Sequence, residues 1–491
     1  MSESSPAPKN STSSSRLANA MAETADTADL YSKSRKLYVR SVKGRFATWR
    51  WVLVWITQLL FYGLPWLQWD GRQAVLFHLV ERKFYIFGWV FWPQDVIYLS
   101  LILIISAYSL FFFTAIAGRL WCGYACPQTV YTEIFMWLEE KIEGDHNKRR
   151  KLDAAPWDGR KISIRGTKYL VWWLVALWTG FTFVAYFTPL KTLFAELATL
   201  SFGPWETFWI LFYAAFTYTL AAVLREQVCK YMCPYARFQS VMFDSDTMVI
   251  TYDNERGEPR GAARRRNAAA GEVAQKGDCI DCLICVQACP TGIDIRNGLQ
   301  YECIGCAACV DACDEVMERT KKPRGLIRYS TENAMKQHWS RQEILRHIAR
   351  PRTLIYSAIL LLVITVLLAG LALRPTLRMD VLPDRIARER EVAGGRIENI
   401  YRLQIINLLE APRTLRITVT GLDGLTIGNG QERIVTVPGG TREAVTVDVQ
   451  APMESGQPGA NPILFHLETQ PGDPKPSQRV EKSTFMLPRL R

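Results

Sequence analysis

The chain has 491 residues, a net charge of +12 and 49% hydrophobic residues. All twelve cysteines lie between Cys122 and Cys313, a distribution that gives no support to a disulfide framework. The basic residues sit beside long apolar runs, where anionic lipid and membrane topology explain them better than a nucleic acid does. We therefore expect a lipid bilayer, and no nucleic acid, among the partners.

Residues 1–35 are rich in Ser, Ala, Thr and Pro without an apolar period, so they are predicted to form a disordered tail. Five later segments approach the roughly 20 apolar residues that a membrane-spanning helix needs. These segments are 49–68, 96–117, 168–188, 205–224 and 353–373. The pattern predicts an α-helical bundle of about five spans, with helices 1–4 inside residues 36–225 and helix 5 at 353–373.

The distribution of Lys and Arg predicts the topology of these spans. Basic residues are concentrated before the first span, in the loop 118–167 and in the insert 225–352, which are therefore expected on the cytoplasmic side. Residues 74–93 are apolar but contain Glu81, Arg82 and Lys83, so we interpret them as interfacial or re-entrant. The acidic residues of the mixed-charge loop are interpreted as a solvated surface; they are Glu139, Glu140, Asp145 and Asp153.

Two cysteine runs carry the clearest chemical signal. C-I-D-C-L-I-C-V-Q-A-C-P and C-I-G-C-A-A-C-V-D-A-C-D each contain C-x2-C-x2-C-x3-C, the spacing of bacterial two-cluster ferredoxins. In such runs the fourth cysteine binds the other cluster, so two [4Fe-4S] clusters with crossed ligands are predicted. The first would take Cys279, Cys282, Cys285 and Cys313, and the second Cys303, Cys306, Cys309 and Cys289. Structural zinc sites use more widely separated C-x2-C pairs and are disfavoured.

The ferredoxin domain is predicted within the segment 226–352, with a core at 270–320. Apolar residues around the cysteines are expected to form a dry wall that excludes water from the clusters. These residues are Ile280, Leu283, Ile284, Val286, Ile293 and Ile295. Asp314 follows Cys313 where a proline usually stands.

The other four cysteines form two matching C-x3-C-P units. Cys122 and Cys126 lie in W-C-G-Y-A-C-P-Q, and Cys229 and Cys233 lie in C-K-Y-M-C-P-Y. Both units follow the cytoplasmic end of an even-numbered predicted span, so the four sulfurs are expected to meet at one membrane face. Soft thiolates suit Cu(I), zinc or a redox thiol pair, and a role as small buried hydrophobes is the alternative. We treat the four as candidate catalytic and copper-binding residues.

Residues 375–491 change to an alternation of apolar and polar residues. The apolar positions begin at 401, 415, 435 and 445 and recur every second residue, with Gly, Pro and Asp turns between the runs. This pattern predicts an immunoglobulin-like β-sandwich, placed outside the membrane by the five-span topology.

Taken together, the cysteine motifs, the segment T-G-I-D-I-R-N-G-L-Q-Y-E-C-I-G-C and P-R-G-L-I-R-Y at 323–329 closely resemble the FixG/CcoG (Rdx) cytochrome oxidase accessory proteins. The resemblance implies a multi-pass protein of the bacterial inner membrane, with a cytoplasmic ferredoxin domain and a periplasmic β-domain. It also implies a role in assembling a cbb-type oxidase by reducing Cu(II) to Cu(I). Partners would be a copper chaperone or transporter and oxidase subunits, and homodimerisation is left open.

Two other functions fit the same motifs. The chain could be a quinol-linked electron-transfer subunit of a respiratory complex, which requires a quinol pocket among the spans. It could also be a non-enzymatic assembly scaffold with structural or oxygen-sensing clusters. The sequence does not identify the electron donor.

Overall fold

The computed structural model describes residues 37–261, 277–384 and 390–488, apart from 393, 410, 429, 472, 474 and 475. The tail predicted at 1–35 lies outside the described residues. The α-helices are α1 Arg45–Gly63, α2 Val96–Ala117, α3 Leu120–Tyr124, α4 Pro127–Glu143, α5 His146–Ala154, α6 Gly159–Val184, α7 Leu190–Thr199, α8 Pro204–Tyr218, α9 Pro234–Met242, α10 Asn254–Gly257, α11 Ile284–Gln287, α12 Ala308–Arg319, α13 Glu332–Lys336, α14 Arg341–Ile348 and α15 Pro351–Ala372. The strands are β1 Gln68–Trp69, β2 Arg72–Gln73, β3 Val75–His78, β4 Lys83–Ile86, β5 Trp89–Phe91, β6 Val249–Tyr252, β7 Ile327–Ser330, β8 Leu377–Pro383, β9 Arg390–Val392, β10 Arg396–Asn407, β11 Arg413–Thr420, β12 Thr426–Ile427, β13 Glu432–Val437, β14 Arg442–Pro452, β15 Gly459–Thr469 and β16 Gln478–Leu487.

Three helical segments in the described part of the chain are long and apolar enough to cross a membrane. They are Pro93–Ala117, Pro204–Leu224 and Pro351–Ala372, which contain three of the five predicted spans. The predicted spans at 49–68 and 168–188 are largely helical as α1 and α6, which are long enough, but their composition is not apolar enough to meet the same criteria. The chain is therefore described as a membrane protein, and five crossings remain a prediction.

The helix α6 begins well before the predicted start at 168. The Asp158 carboxylate accepts a hydrogen bond from the Lys161 backbone N–H at 2.7 Å and caps the helix at Gly159. The extra turns carry Lys161 and Arg165, and Lys168 follows them. Acidic residues of α4 and α5 neutralise Arg165 and Lys168, whereas the Lys161 ammonium donates to the Asp153 backbone carbonyl at 3.1 Å.

A buried ion network joins α4 to α6, and it corrects one prediction. Glu139 is 2% exposed and lies 2.9 Å from the Arg225 guanidinium, 3.4 Å from that of Arg149 and 3.5 Å from the Lys168 ammonium. Burial opposes ionisation, but Arg225, Lys168 and Arg149 together lower the pKa of Glu139. The solvated-surface interpretation was wrong for Glu139, because α4 turns this carboxylate toward α6 instead of the solvent.

Residues 74–93 form an antiparallel sheet of β3, β4 and β5, not a helix. The Phe77 backbone N–H donates to the Tyr186 carbonyl at 2.7 Å and ties this sheet to the end of α6. The position of the sheet relative to the bilayer remains a prediction.

The ferredoxin insert is closed at its ends and docked on α1. Strands β6 and β7 pair antiparallel on either side of the cysteine runs, with Val249 opposite Ser330. The Asp311 carboxylate of α12 accepts hydrogen bonds from the backbone N–H groups of Phe46 (3.2 Å) and Ala47 (2.7 Å) at the start of α1. This side chain satisfies donors that a helix N-terminus leaves free, so the cysteine helix α12 is fixed to α1.

The carboxy-terminal domain is a sandwich of two antiparallel sheets, ordered β12-β14-β10-β8 (with β9 beside β10) and β13-β11-β15-β16. The alternating residues predicted to face inward do so: Tyr401, Leu403, Leu415 and Val447 are all completely buried. The immunoglobulin-like prediction is confirmed for this domain.

A buried carboxylate links this sandwich to the helical part. Asp95, at the start of α2, lies 2.5 Å from the guanidinium of Arg374 and 2.6 Å from that of Arg378 in β8. The Asp95 side chain is 1% exposed. Arg374 and Arg378 therefore neutralise a carboxylate that is buried away from water.

Asp95→Ala should therefore destabilise the junction by about 3 kcal/mol, because two arginines lose the carboxylate that neutralises them. The melting temperature of the detergent-solubilised protein checks this. The exposed Asp423→Ala serves as the matched control and should leave the melting temperature unchanged. Equal melting temperatures for both variants would contradict the role of Asp95.

Candidate metal and electron-transfer site

The two cysteine runs adopt the same backbone conformation. Asp281 and Leu283 flank Cys282, and Gly305 and Ala307 flank Cys306; all four flanking residues have φ between 55° and 69°. A helix begins directly after each of these turns and within the run, α11 at Ile284 and α12 at Ala308. Left-handed non-glycine residues cost of order 1–3 kcal/mol each and are concentrated at functional sites. The repeated turn directs several sulfurs toward one point.

The four cysteines predicted for the first cluster line one cavity, which we call the first cluster cavity. It contains Cys279, Cys282, Cys285 and Cys313. Ile280, Leu283 and Ile284 form part of its wall, as predicted. The remaining apolar wall comes from α12 and from residues at β6 and β7, including Val316, Tyr252 and Ile327. The contribution of these strands was not foreseen from the sequence.

The four cysteines predicted for the second cluster line a separate cavity, the second cluster cavity. It contains Cys289, Cys303, Cys306 and Cys309, walled by Ile250, Ile293, Ile295 and Ile304. Cys285 lines both cavities, so the two share a wall. Val286 packs against the same core.

Most of the thiols in the two cavities are shielded from water, whereas Cys282 is exposed. Burial raises the pKa of Cys303 and of Cys313 to about 12 and that of Cys285 to about 11. These thiols therefore keep their protons at neutral pH unless a metal displaces them, since the thiolate is the ligand form.

The donor set indicates which group the two cavities would hold. Each cavity is lined by at least four cysteines and by apolar side chains. Cysteine thiolates are the ligands that hold iron–sulfur clusters. Four cysteines around an apolar cavity therefore fit a [4Fe-4S] cluster, which supplies single-electron storage and transfer when bound.

The two C-x3-C-P units are built on matching helix starts. Cys126 and Cys233 each occupy the N-cap position of a helix whose first residue is proline, Pro127 in α4 and Pro234 in α9. Proline suits this first position because it has no N–H to leave unpaired, and the positive end of the helix favours a thiolate. The proline of the motif thus places the second sulfur of each unit at a helix N-terminus.

Cys229 is positioned by an unusual backbone. It lies in the π-helix Val228–Met232, and the Cys233 backbone N–H donates to the Val228 carbonyl at 2.8 Å. Single π-helical turns occur frequently at functional sites.

The structure brings the two units together, and we call the four cysteines the tetracysteine site. Cys122 and Cys229, one from each unit, pack against the same buried cluster of Ile304, Cys306 and Ala308. Burial raises the pKa of Cys122 and of Cys229 to about 12, and the neighbouring thiols reinforce this shift. The Cys122 thiol donates to the Gln239 side-chain oxygen at 3.3 Å, and Gln239 is completely buried.

The tetracysteine site is in direct contact with the second cluster cavity. Cys122 and Cys229 pack against Cys306 and Ile304. A Cβ added to Gly123 would lie 2.8 Å from the Cys306 Cα and 2.9 Å from its nitrogen. Only a residue without a side chain allows this approach.

Two residues that the sequence did not single out support this contact. Arg119 is 4% exposed, and its charge acts on Cys122, Cys229 and Cys303, so one guanidinium serves both sites. Tyr329 is the last residue of the P-R-G-L-I-R-Y segment. Its hydroxyl donates to the Gly305 carbonyl at 2.5 Å and so holds the residue next to Cys306. Asp314, in place of the usual proline, accepts a hydrogen bond from the Gly325 backbone N–H at 2.8 Å.

Comparison with known proteins agrees with this arrangement. Residues 224–332 match a family model described as a 4Fe-4S dicluster domain, 99–144 match a 4Fe-4S binding domain, and 367–488 match the Ig-like fold at the C-terminus of FixG. The nitrogen fixation protein FixG of Rhizobium meliloti (strain 1021) is 35% identical over 496 residues, covering 94% of each chain. The chain belongs to the FixG/Rdx family.

A second relative supports the same family. Protein RdxB of Cereibacter sphaeroides is 37% identical over 469 residues, covering 94% of this chain and 97% of its own. The crystal structure of a FixG-related protein from Vibrio parahaemolyticus matches with 20% identity and a TM-score of 0.20, covering 23% of this chain and 96% of that one. The chain is an iron–sulfur protein of this family.

Gly123→Ala should push the tetracysteine site away from the second cluster cavity, because the new methyl group overlaps the Cys306 backbone. Overpacking of this kind costs roughly 1–3 kcal/mol. We expect a lower melting temperature and a changed electron paramagnetic resonance spectrum of the reduced protein. Gly166→Ala in α6, where an added Cβ meets nothing within 4 Å, is the control. An unchanged spectrum and melting temperature in Gly123→Ala would contradict the close contact.

Arg119→Gln should lower the midpoint potential of the nearest iron–sulfur centre, because removing a buried positive charge disfavours the added electron. A redox titration followed by electron paramagnetic resonance measures this potential. Arg119→Lys keeps the charge, so its midpoint potential should be close to that of the unmodified protein. The exposed Arg346→Gln should leave the midpoint potential unchanged. A potential equal to that of the unmodified protein in Arg119→Gln would show that the guanidinium only fills space.

Proposed function

We propose that the protein transfers electrons one at a time from its ferredoxin domain to copper at the tetracysteine site, reducing Cu(II) to Cu(I) for the assembly of a cbb-type oxidase. The contact of Cys122 and Gly123 with the Cys306 loop is the observation that carries this proposal. Electron transfer needs a short path, and this contact leaves no intervening side chain between the two loops.

Different cysteines would hold the iron–sulfur clusters and bind the copper ion. Cys279, Cys282, Cys285 and Cys313 would hold the first cluster, and Cys289, Cys303, Cys306 and Cys309 the second. The copper ion, as substrate, gains one electron in each turnover. Thiolates stabilise Cu(I) over Cu(II), so capture by the tetracysteine site and reduction reinforce each other.

Copper binding at the tetracysteine site would be coupled to the loss of protons from its thiols. Copper has to displace the protons of Cys122 and Cys229, because burial keeps these thiols protonated at neutral pH. The Arg119 guanidinium favours the thiolate form of both. In this proposal the protein lies in the inner membrane. Its ferredoxin domain is in the cytoplasm, and its β-domain is in the periplasm, where it faces oxidase subunits.

A second candidate for the tetracysteine site is a third [4Fe-4S] cluster that relays electrons. It is favoured by the match of residues 99–144, which contain Cys122 and Cys126, to a 4Fe-4S binding domain.

The test of the proposed function uses anaerobically purified full-length protein reduced by dithionite and freed of excess reductant. Addition of Cu(II) should give Cu(I), detected by a colorimetric chelator, in step with reoxidation of the protein. Cys229→Ser should slow Cu(I) formation at least about tenfold while keeping about eight irons per chain. Tyr231→Phe, a 61% exposed side chain of the same motif, should behave like the unmodified protein.

The iron content separates the two candidates. About twelve irons per chain, falling to about eight in Cys229→Ser, would assign a third cluster and overturn copper binding at these thiols. Unchanged Cu(I) formation in Cys229→Ser would overturn the tetracysteine site as the place of reduction.

A further inference from the structure

A cavity between α1, α4 and the ferredoxin domain has no role in the function proposed above. Its volume is about 90 Å³, and the cavity is partly open to the surface. Its walls include Arg50 and Trp51 of α1, Glu133 and Trp137 of α4, and Pro290 of the ferredoxin domain. We call it the interface cavity.

Among the described residues, a buried cation in this cavity has only one ion-pair partner and an unsatisfied donor. Arg50 is 7% exposed, and its Nε is buried without a hydrogen-bond acceptor. Its terminal nitrogen lies 3.5 Å from the Glu133 carboxylate, a long contact that leaves donor capacity free. Since a buried donor without an acceptor is unfavourable, a ligand oxygen beside this guanidinium would be stabilised.

Aromatic side chains give the cavity a place for a flat ring. Trp51 and Trp137 lie edge to face, with ring centroids 6.0 Å apart. Beyond Trp51, α1 exposes Trp55 (62%) and Leu59 (66%), an apolar face suited to lipid. Tryptophans at such a border are typical of the headgroup region, so an amphipathic lipid-soluble ring could enter from the bilayer.

The cavity reaches the ligands of the second cluster cavity. Pro290 follows Cys289 directly, Ala308 precedes Cys309, and both line the interface cavity. A neighbouring cavity shares Arg50, Glu133 and Pro290 and continues to Cys306 and Cys229. A ring bound beside Trp137 would thus lie within one layer of residues of the proposed electron acceptors.

We propose that the interface cavity binds the ring of a membrane hydroquinone, which is the electron donor; this inference rests on the proposed function. Oxidation of one hydroquinone to quinone releases two electrons and two protons. The electrons leave singly to the iron–sulfur centres named above, and the protons pass to the carboxylates of Glu133 and Glu140 at the cavity wall. Arg50 supplies the hydrogen bond to a ring oxygen.

The test measures binding and electron donation separately. Full-length protein in phosphatidylcholine nanodiscs is titrated with decylubiquinone, and binding is followed by tryptophan fluorescence and by equilibrium dialysis. Arg50→Gln and the partly exposed Trp137→Ala should each weaken binding at least about tenfold. Glu315→Gln, on the exposed face of α12, is the control and should bind as the unmodified protein does.

Electron donation is compared with two reductants on the same samples. The ratio of decylubiquinol-driven to dithionite-driven Cu(I) formation should fall about tenfold in both cavity variants. Absence of Cu(I) with either reductant in the unmodified protein would contradict the proposed function but leave the binding result intact. Undiminished quinone binding in Trp137→Ala and in folded Arg50→Gln would overturn the hydroquinone site.

Lipid headgroups are the other source of an oxygen ligand for Arg50. If phosphatidylglycerol in the nanodisc abolishes decylubiquinone binding at equal concentration, the cavity holds a phospholipid headgroup and the proposal fails. Binding that persists as the anionic lipid is increased supports the hydroquinone.

Discussion

The close approach of Gly123 to the backbone of Cys306 is the constraint on which the rest of the arrangement depends. It places the first C-x3-C-P turn against the loop that presents a predicted cluster ligand, and it tolerates no Cβ. The surrounding contacts act to preserve it. Asp311 fixes α12 to the start of α1, and Tyr329 holds the carbonyl of Gly305 next to Cys306. A displacement at any of these points would open the shortest connection between the ferredoxin domain and the tetracysteine site.

Local patterns in the sequence predicted local structure well. Period-two alternation located β10, β11, β13 and β14, and cysteine spacing predicted which sulfurs line each cavity. The strands β8, β15 and β16 were not singled out from the sequence. In β15, Pro462 interrupts the run that alternation would have marked, although it pairs with Thr484 in the sheet.

Contacts between distant segments could not be read from spacing. Glu139 belongs to a charged stretch that resembles a solvated surface, yet its partners Lys168 and Arg225 come from two other segments of the chain. Arg119 was counted only as a charge that sets topology, although it lies buried beside two cysteine sites. A buried charge is identified by the elements packed around it, and those elements become known only from the tertiary structure.

The layout of the cavities is consistent with two clusters in the proposed function. In that proposal a hydroquinone gives up two electrons, whereas copper accepts one, so an electron would have to wait within the protein. Both the interface cavity and the tetracysteine site adjoin the second cluster cavity, through Pro290 and Cys306, and the first cluster cavity adjoins it through Cys285. The second cavity is therefore the junction, and the first is a side branch where one electron can be held. On this argument, loss of the side branch should impair oxidation of the donor more than transfer of a single electron to copper.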